Sequence, residues 1–164
     1  MKIAIRADGG SKIGMGHIMR TLVLAKELAK TNEVFYICRV DKPLTGKYSP
    51  GIKKIKLEGF NVIGVDEDSI IEELKRVTAD CLITDSYDVD EYYFNETKQL
   101  FNKTGYIDDM NMYYFNVDFL INQNINAKDL VYRVNKNTKL LLGTDYIMLR
   151  EEFRHALKKI LRKR

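Results

Sequence analysis

The stretch Lys2-Ile3-Ala4-Ile5-Arg6-Ala7-Asp8-Gly9-Gly10-Ser11-Lys12-Ile13-Gly14-Met15-Gly16-His17-Ile18-Met19-Arg20 decides how the chain is read. A β-branched run meets a glycine-rich loop, and the loop opens into a helical pattern carried by Ile18, Leu22, Ala25 and Leu28-Ala29. Met19 and Val23 widen that helix's apolar girth, so it is expected to pack on a sheet and to end near Thr31-Asn32. Glu33 to Cys38 then reads as a second strand, which completes a βαβ unit.

Working outward, Asp41 to Gly51 holds both prolines and reads as a loop. Phe60 to Val65 is a strand, and Asp66 to Ser69 caps a helix marked by Ile70, Ile71, Leu74 and Val77. Asp80 to Thr84 is a buried strand ending at Asp85-Ser86-Tyr87, and a helix runs from Asp90 to Lys103. Short strands follow at Gly105 to Ile107 and Asp118 to Ile121, and apolar runs at Lys139 to Gly143 and Tyr146 to Leu149. Strands alternating with helices predict an α/β fold, a Rossmann-like parallel sheet with helices on both faces. One domain, residues 1–150, is expected, with a basic helix over 151–164.

The 164 residues are 45% apolar and 30% charged, which fits a globular domain with a real core. No apolar run approaches the roughly 20 residues that span a bilayer. Cys38 and Cys81 each fall inside a strand without metal-ligand spacing, so both read as core thiols of a cytoplasmic protein. The net charge of +4 is uneven: Arg150 to Arg164 contributes seven Lys or Arg against two Glu. With no aromatics among those charges after Phe153, a solvated terminal helix is expected, with no nucleic acid and no membrane as partner.

Ligands of parallel sheets bind outside the carboxyl ends of the strands. Asp8, Asp85-Ser86-Tyr87, Asp108-Asp109 and Asn122-Gln123 all follow strand ends, so they are expected to share one edge with His17. The first loop reads G-x-G-H without a third glycine, which departs from the dinucleotide fingerprint, and no G-K-[ST] follows it. Gly14 and Gly16 permit close approach of a ligand to free helix N–H groups. His17 and Arg20, three apart, share one face of the first turn and suit a phosphorylated ligand; the alternative is a capping histidine and a surface arginine. Asp85 and Tyr87 either orient substrate hydroxyls and assist a proton or form a polar strand exit with Asp85 capping the next turn. Adjacent Asp108 and Asp109 point apart in an extended segment and lack a histidine, so no metal is expected there.

Arg6-Ala7-Asp8, Ile13-Gly14-x-Gly16-His17-x-Met19-Arg20, Asp85-x-Tyr87, Ile107-Asp108-Asp109, Asn122-Gln123 and Gly143-Thr144-x-Tyr146-x-x-Leu149-Arg150-Glu151-Glu152-Phe153 occur in that order. Together they resemble the pseudaminic-acid pathway UDP-sugar hydrolase family and the similar spore-coat polysaccharide biosynthesis proteins. The resemblance implies the N-terminal half of a glycosyltransferase-B-like fold, with residues 151–164 beginning the connection to a C-terminal nucleotide-binding domain on the same or a separate chain. It implies hydrolysis of UDP-2,4-diacetamido-2,4,6-trideoxy-β-L-altropyranose to UDP and the free sugar, with no cofactor and no required metal. His17 would be the base, Tyr87 a second catalytic group, and Asp8, Gly14, Gly16, Arg20, Asp85, Asn122 and Gln123 substrate-binding residues. A glycosyltransferase on the same scaffold and a non-catalytic sugar-binding domain remain the alternatives.

Overall fold

A computed structural model describes residues 1–41 and 46–153. Strand β1 (Lys2–Ala7) leads through the glycine loop into helix α1 (Gly16–Leu28) and back to β2 (Glu33–Arg39). Helix α2 (Ser49–Leu57), β3 (Asn61–Val65), α3 (Ile70–Leu74), β4 (Cys81–Asp85), α4 (Glu91–Leu100) and β5 (Lys103–Ile107) follow. The last third carries β6 (Tyr114–Phe115), β7 (Phe119–Asn122), β8 (Arg133–Val134) and β9 (Lys139–Leu142). Seven strands form one sheet in the order β3-β2-β1-β4-β5-β7-β9, and every pairing in it is parallel. The chain thus builds outward from β1 in one direction and then returns to build outward in the other, as doubly wound sheets do.

Alternation along β1 divides the core. Ile3, Ile5 and Ala7 join Ile18, Leu22 and Ala25 of α1 and Ile55 of α2 on one face. Ala4 joins Leu82, Leu120 and the rings of Tyr93, Phe94, Tyr106 and Phe115 on the other, under α3 and α4. Full burial of each large apolar side chain is worth about 1.5–3 kcal/mol, which is why the central strands read as nearly continuous apolar runs. Both cysteines lie in this core as free thiols. Burial comes first among the causes that raise both thiols, Cys81 to about 11 and Cys38 further still.

Several expectations are corrected. Ser49, Pro50 and Gly51 are not loop but the first turn of α2, where proline is tolerated because its missing N–H has no helical partner anyway. The fourth helix stops at Leu100, and Lys103 already belongs to β5. Helix α1 ends at Leu28, earlier than the polar residues suggested. Between β5 and β7 no helix intervenes; the connection carries β6, which pairs in parallel with β8 in a separate two-stranded ribbon. Of the two last apolar runs, Lys139–Leu142 forms β9, whereas Tyr146 closes a 3-10 turn and the residues to Leu149 have no regular structure. Residues 151–153 are helical, and the remainder of the expected basic helix lies outside the described residues.

The glycine loop is held from both sides. Gly10 and Gly14 exchange backbone hydrogen bonds at 2.9 and 3.0 Å, and Gly14 needs glycine's freedom at φ +74°. Gly51 donates its N–H to the Gly9 carbonyl at 3.0 Å, and a Cβ on Gly51 would stand 2.4 Å from that oxygen. Because the obstacle is backbone, it cannot rotate away. Gly51→Ala is therefore expected to displace α2 from the loop and lower the unfolding free energy by about 1–3 kcal/mol. Urea denaturation measures this, and a loss below about 0.5 kcal/mol would show that the contact is looser than described.

Candidate functional site

At the carboxyl edge of the sheet, the exits of β1 and β4 lie side by side, with Ala7 in register with Asp85. The order of strands reverses here, and the two loops diverge to leave a crevice. An open cleft of about 410 Å³ fills it, lined by Gly16, His17, Arg20, Tyr87, Gln123 and Arg150 among others. Among the described residues no side-chain hydrogen bond caps the start of α1, and Gly16 and His17 of its first turn line the cleft.

Beneath the cleft lies a charged cluster. The Arg20 guanidinium grips Asp85, donating from Nε at 2.6 Å and Nη2 at 2.5 Å, and reaches Asp109 from Nη1 at 3.1 Å. Asp85 is fully buried, whereas Arg20 retains slight exposure. Burial works against the guanidinium's charge. The hydrogen bonds and fields of Asp85, then Asp109, outweigh it and hold the group above its ordinary value. The surface arginine weighed above is thus a half-buried clamp, and Asp85 caps no turn because its oxygens are committed to Arg20.

His17 sits over this cluster with Nε2 at 3.9 Å from Asp85 Oδ1. Its ring meets the edge of Tyr87 at 4.6 Å and 77°. The Tyr87 hydroxyl donates to Asp109 at 2.8 Å. Burial, then the hydrogen bond to Asp109, pushes the phenol above its usual range, so it is a proton-bearing donor at neutral pH. Two carboxylates face one guanidinium, leaving one negative charge in surplus beside the imidazole.

The expected residues separate into two groups. His17, Arg20, Tyr87, Gly16 and Gln123 line the cleft, with Asp85 below them. Gln123 also accepts the Met148 N–H at 2.9 Å and so ties the segment after β9 to the edge. Asp8 instead turns toward β2, taking the Arg39 N–H at 2.7 Å and its Nε at 2.8 Å. Asn122 is buried, donating to the Tyr132 hydroxyl at 2.9 Å and accepting from Asn124 N. Gly14 shapes the loop without lining the cleft.

Asp109, expected at this edge and weighed there as a metal ligand, instead bridges Arg20 and Tyr87. Its neighbour Asp108 accepts from the N–H groups of Met110 and Asn111 and is held above its usual value, by burial first. Arg150 was also missed as a cleft residue, although it stands in the L-R-E-E-F block. Among the described residues, no three His, Cys, Asp or Glu side chains gather as they would around a metal ion. Nor is any described helix long and apolar enough to cross a membrane.

Comparison with known proteins adds two relatives. An uncharacterized protein of Methanocaldococcus jannaschii is 33% identical over 171 aligned positions, covering 98% of this chain and 33% of that protein. The UDP-2,4-diacetamido-2,4,6-trideoxy-beta-L-altropyranose hydrolase of Campylobacter jejuni is 29% identical over 160 positions, covering 93% of this chain and 53% of the hydrolase. This chain therefore spans about a third of the length of the first relative and about half of the second. No family model matches it. The likeness to the hydrolase is distant, and neither relative is named for spore-coat biosynthesis.

Asp85→Asn removes the buried charge that Arg20 grips and leaves the guanidinium with Asp109 alone. Breaking a buried ion pair costs about 3–5 kcal/mol, and the surviving partner should hold the loss at or below that range. Chemical denaturation reads it, and an unchanged midpoint would mean the clamp contributes nothing to stability.

Proposed function

We propose that this chain is the sugar-facing part of a nucleotide-sugar hydrolase. The distant similarity to the Campylobacter enzyme supports nucleotide-sugar chemistry in general terms. The finer reading is hydrolysis of UDP-2,4-diacetamido-2,4,6-trideoxy-β-L-altropyranose, as in nonulosonic acid or surface polysaccharide biosynthesis. The observation that carries it is His17 standing in an open cleft 3.9 Å above a buried carboxylate.

In this reading neutral His17 takes a proton from a water as that water's oxygen attacks the anomeric carbon. The bond from that carbon to the phosphate oxygen breaks, and its electron pair leaves with UDP. The Asp85 carboxylate, 3.9 Å away, stabilises the imidazolium that forms, while Tyr87 fixes the plane of the ring. General bases of this kind contribute about 10²–10⁴-fold in rate. Arg20's fork is filled by two carboxylates, so it is a poor seat for a diphosphate. The N–H groups opening α1 and a C-terminal nucleotide-binding domain, on this chain or another, take that charge instead.

The test is UDP release and free-sugar formation from the UDP-sugar by the full-length protein. His17→Ala is expected to lower turnover by about 10²–10⁴-fold with little change in stability. Wild-type turnover in that variant would remove His17 from the mechanism. Release that depends on an added acceptor would make the protein a transferase, and an unchanged UDP-sugar would make it a binding domain. UDP is expected to bind residues 1–164 only weakly; tight binding would overturn the placement of the nucleotide on the second domain.

A further inference from the structure

A second opening lies across the sheet from His17, and a buried cation with no anion beside it among the described residues forms part of its wall. Arg6, one residue from the end of β1, alternates away from Ile5 and Ala7 onto the face covered by α3 and α4. It is 1% exposed, and its guanidinium carbon lies 4.8 Å over the Tyr93 ring. Nη1 and Nη2 reach only the Asp88 carbonyl, at 3.4 and 3.3 Å, and the buried Nε has no hydrogen-bond partner. Arg39 takes the carboxylates on this side, both Asp8 and Asp88, and the Asp88 side chain is 66% exposed to water. Among the described residues Arg6 makes no ion pair. An ionised group out of water without a counter-charge costs more than one aromatic face and two long hydrogen bonds return.

Arg6 edges an open pocket of about 420 Å³ between the turn after β3 and the turn after β4. The pocket's rim is acidic, but most of its acids are already matched. Lys47 holds Glu67, Lys75 holds Glu72, and Arg39 holds Asp88. Asp90 gives one oxygen to the Tyr93 N–H at the start of α4. The exposed Asp68 carboxylate has no partner among the described residues, and the Tyr92 ring stands 60% exposed at the mouth. A simple anion would satisfy Arg6 and be repelled by the rim. A simple cation would meet the opposite fate.

We propose that this pocket binds a small zwitterion of the free α-amino acid class. Its carboxylate pairs with Arg6, its ammonium with Asp68 and the second oxygen of Asp90, and its side chain lies along Tyr92. The site is independent of the hydrolase reading, because the residues at β4's exit divide between the two openings. Tyr87 lines one and Asp88 and Asp90 the other.

Titration calorimetry of the full-length protein against the common L-amino acids tests this, with the N-acetyl and amide derivatives of the best binder as probes. At least one free amino acid is expected to bind with a millimolar or tighter Kd. N-acetylation, which removes the ammonium, and amidation, which removes the carboxylate, should each weaken it by about tenfold or more. Arg6→Gln should abolish binding. Should that variant fail to fold, Asp68→Asn at an exposed position decides, with an expected weakening of several-fold. No binding by any amino acid at about 10 mM, equal binding of the derivatives, or an unchanged Kd in Asp68→Asn would overturn the proposal.

Discussion

Arg20 reaches from the first turn of α1 to the ends of two strands, and the carboxyl edge of the sheet is organised by that reach. Asp85 closes β4 and Asp109 follows β5, and neither carboxylate would tolerate its position without a cation between them. The same guanidinium fixes where α1 sits along the sheet, and therefore where His17 stands. Tyr87 completes the arrangement by spending its proton on Asp109 and its ring edge on the imidazole. A helix, two strand ends and a loop are thus locked by a handful of charge-assisted bonds, which are among the stronger interactions available to side chains.

The parallel sheet was legible because its central strands are buried on both faces and so are written in β-branched and apolar residues. The shared edge was legible too, since parallel strands must all end on one side. What the strand-end rule does not contain is the direction in which each polar side chain turns. Asp8 follows β1 and Asp85 closes β4, yet one serves Arg39 and the other Arg20. That choice depends on which cation folds nearby, and the partner of Asp85 lies 65 residues away. Helix α2 was hidden for a different reason. Pro50 and Gly51 punctuate a sequence as a loop does, but the proline occupies a first turn and the glycine answers a close approach by Gly9. The ribbon of β6 and β8 has two residues on each side, too few for any periodicity.

The exit of β4 concentrates the chemistry. Within a few residues it sends Asp85 and Tyr87 toward α1 and Asp88 and Asp90 toward α3 and α4. A strand exit at the reversal point of a doubly wound sheet has helices on both sides and belongs to neither, so alternate residues serve different neighbours. The two openings consequently share a wall but present different charge. One has a histidine over a clamped arginine; the other has an arginine that no carboxylate among the described residues clamps.

The central place of β1 also bears on how the chain emerges from the ribosome. Its partner on one side, β2, and β3 beyond it arrive within the first 65 residues, but β4 does not, and the bond from Lys2 N–H to Asp80 spans 78 residues. Until then the nascent chain holds a strand whose Ile3, Ile5 and Ala7 make one face apolar and whose backbone groups on one side are bare. Such an edge pairs with whatever strand comes first, so nearby copies compete with the chain's own β4. Rapid synthesis through residue 85 shortens that interval, and pauses before it lengthen the window in which the centre of the sheet is open to misassembly.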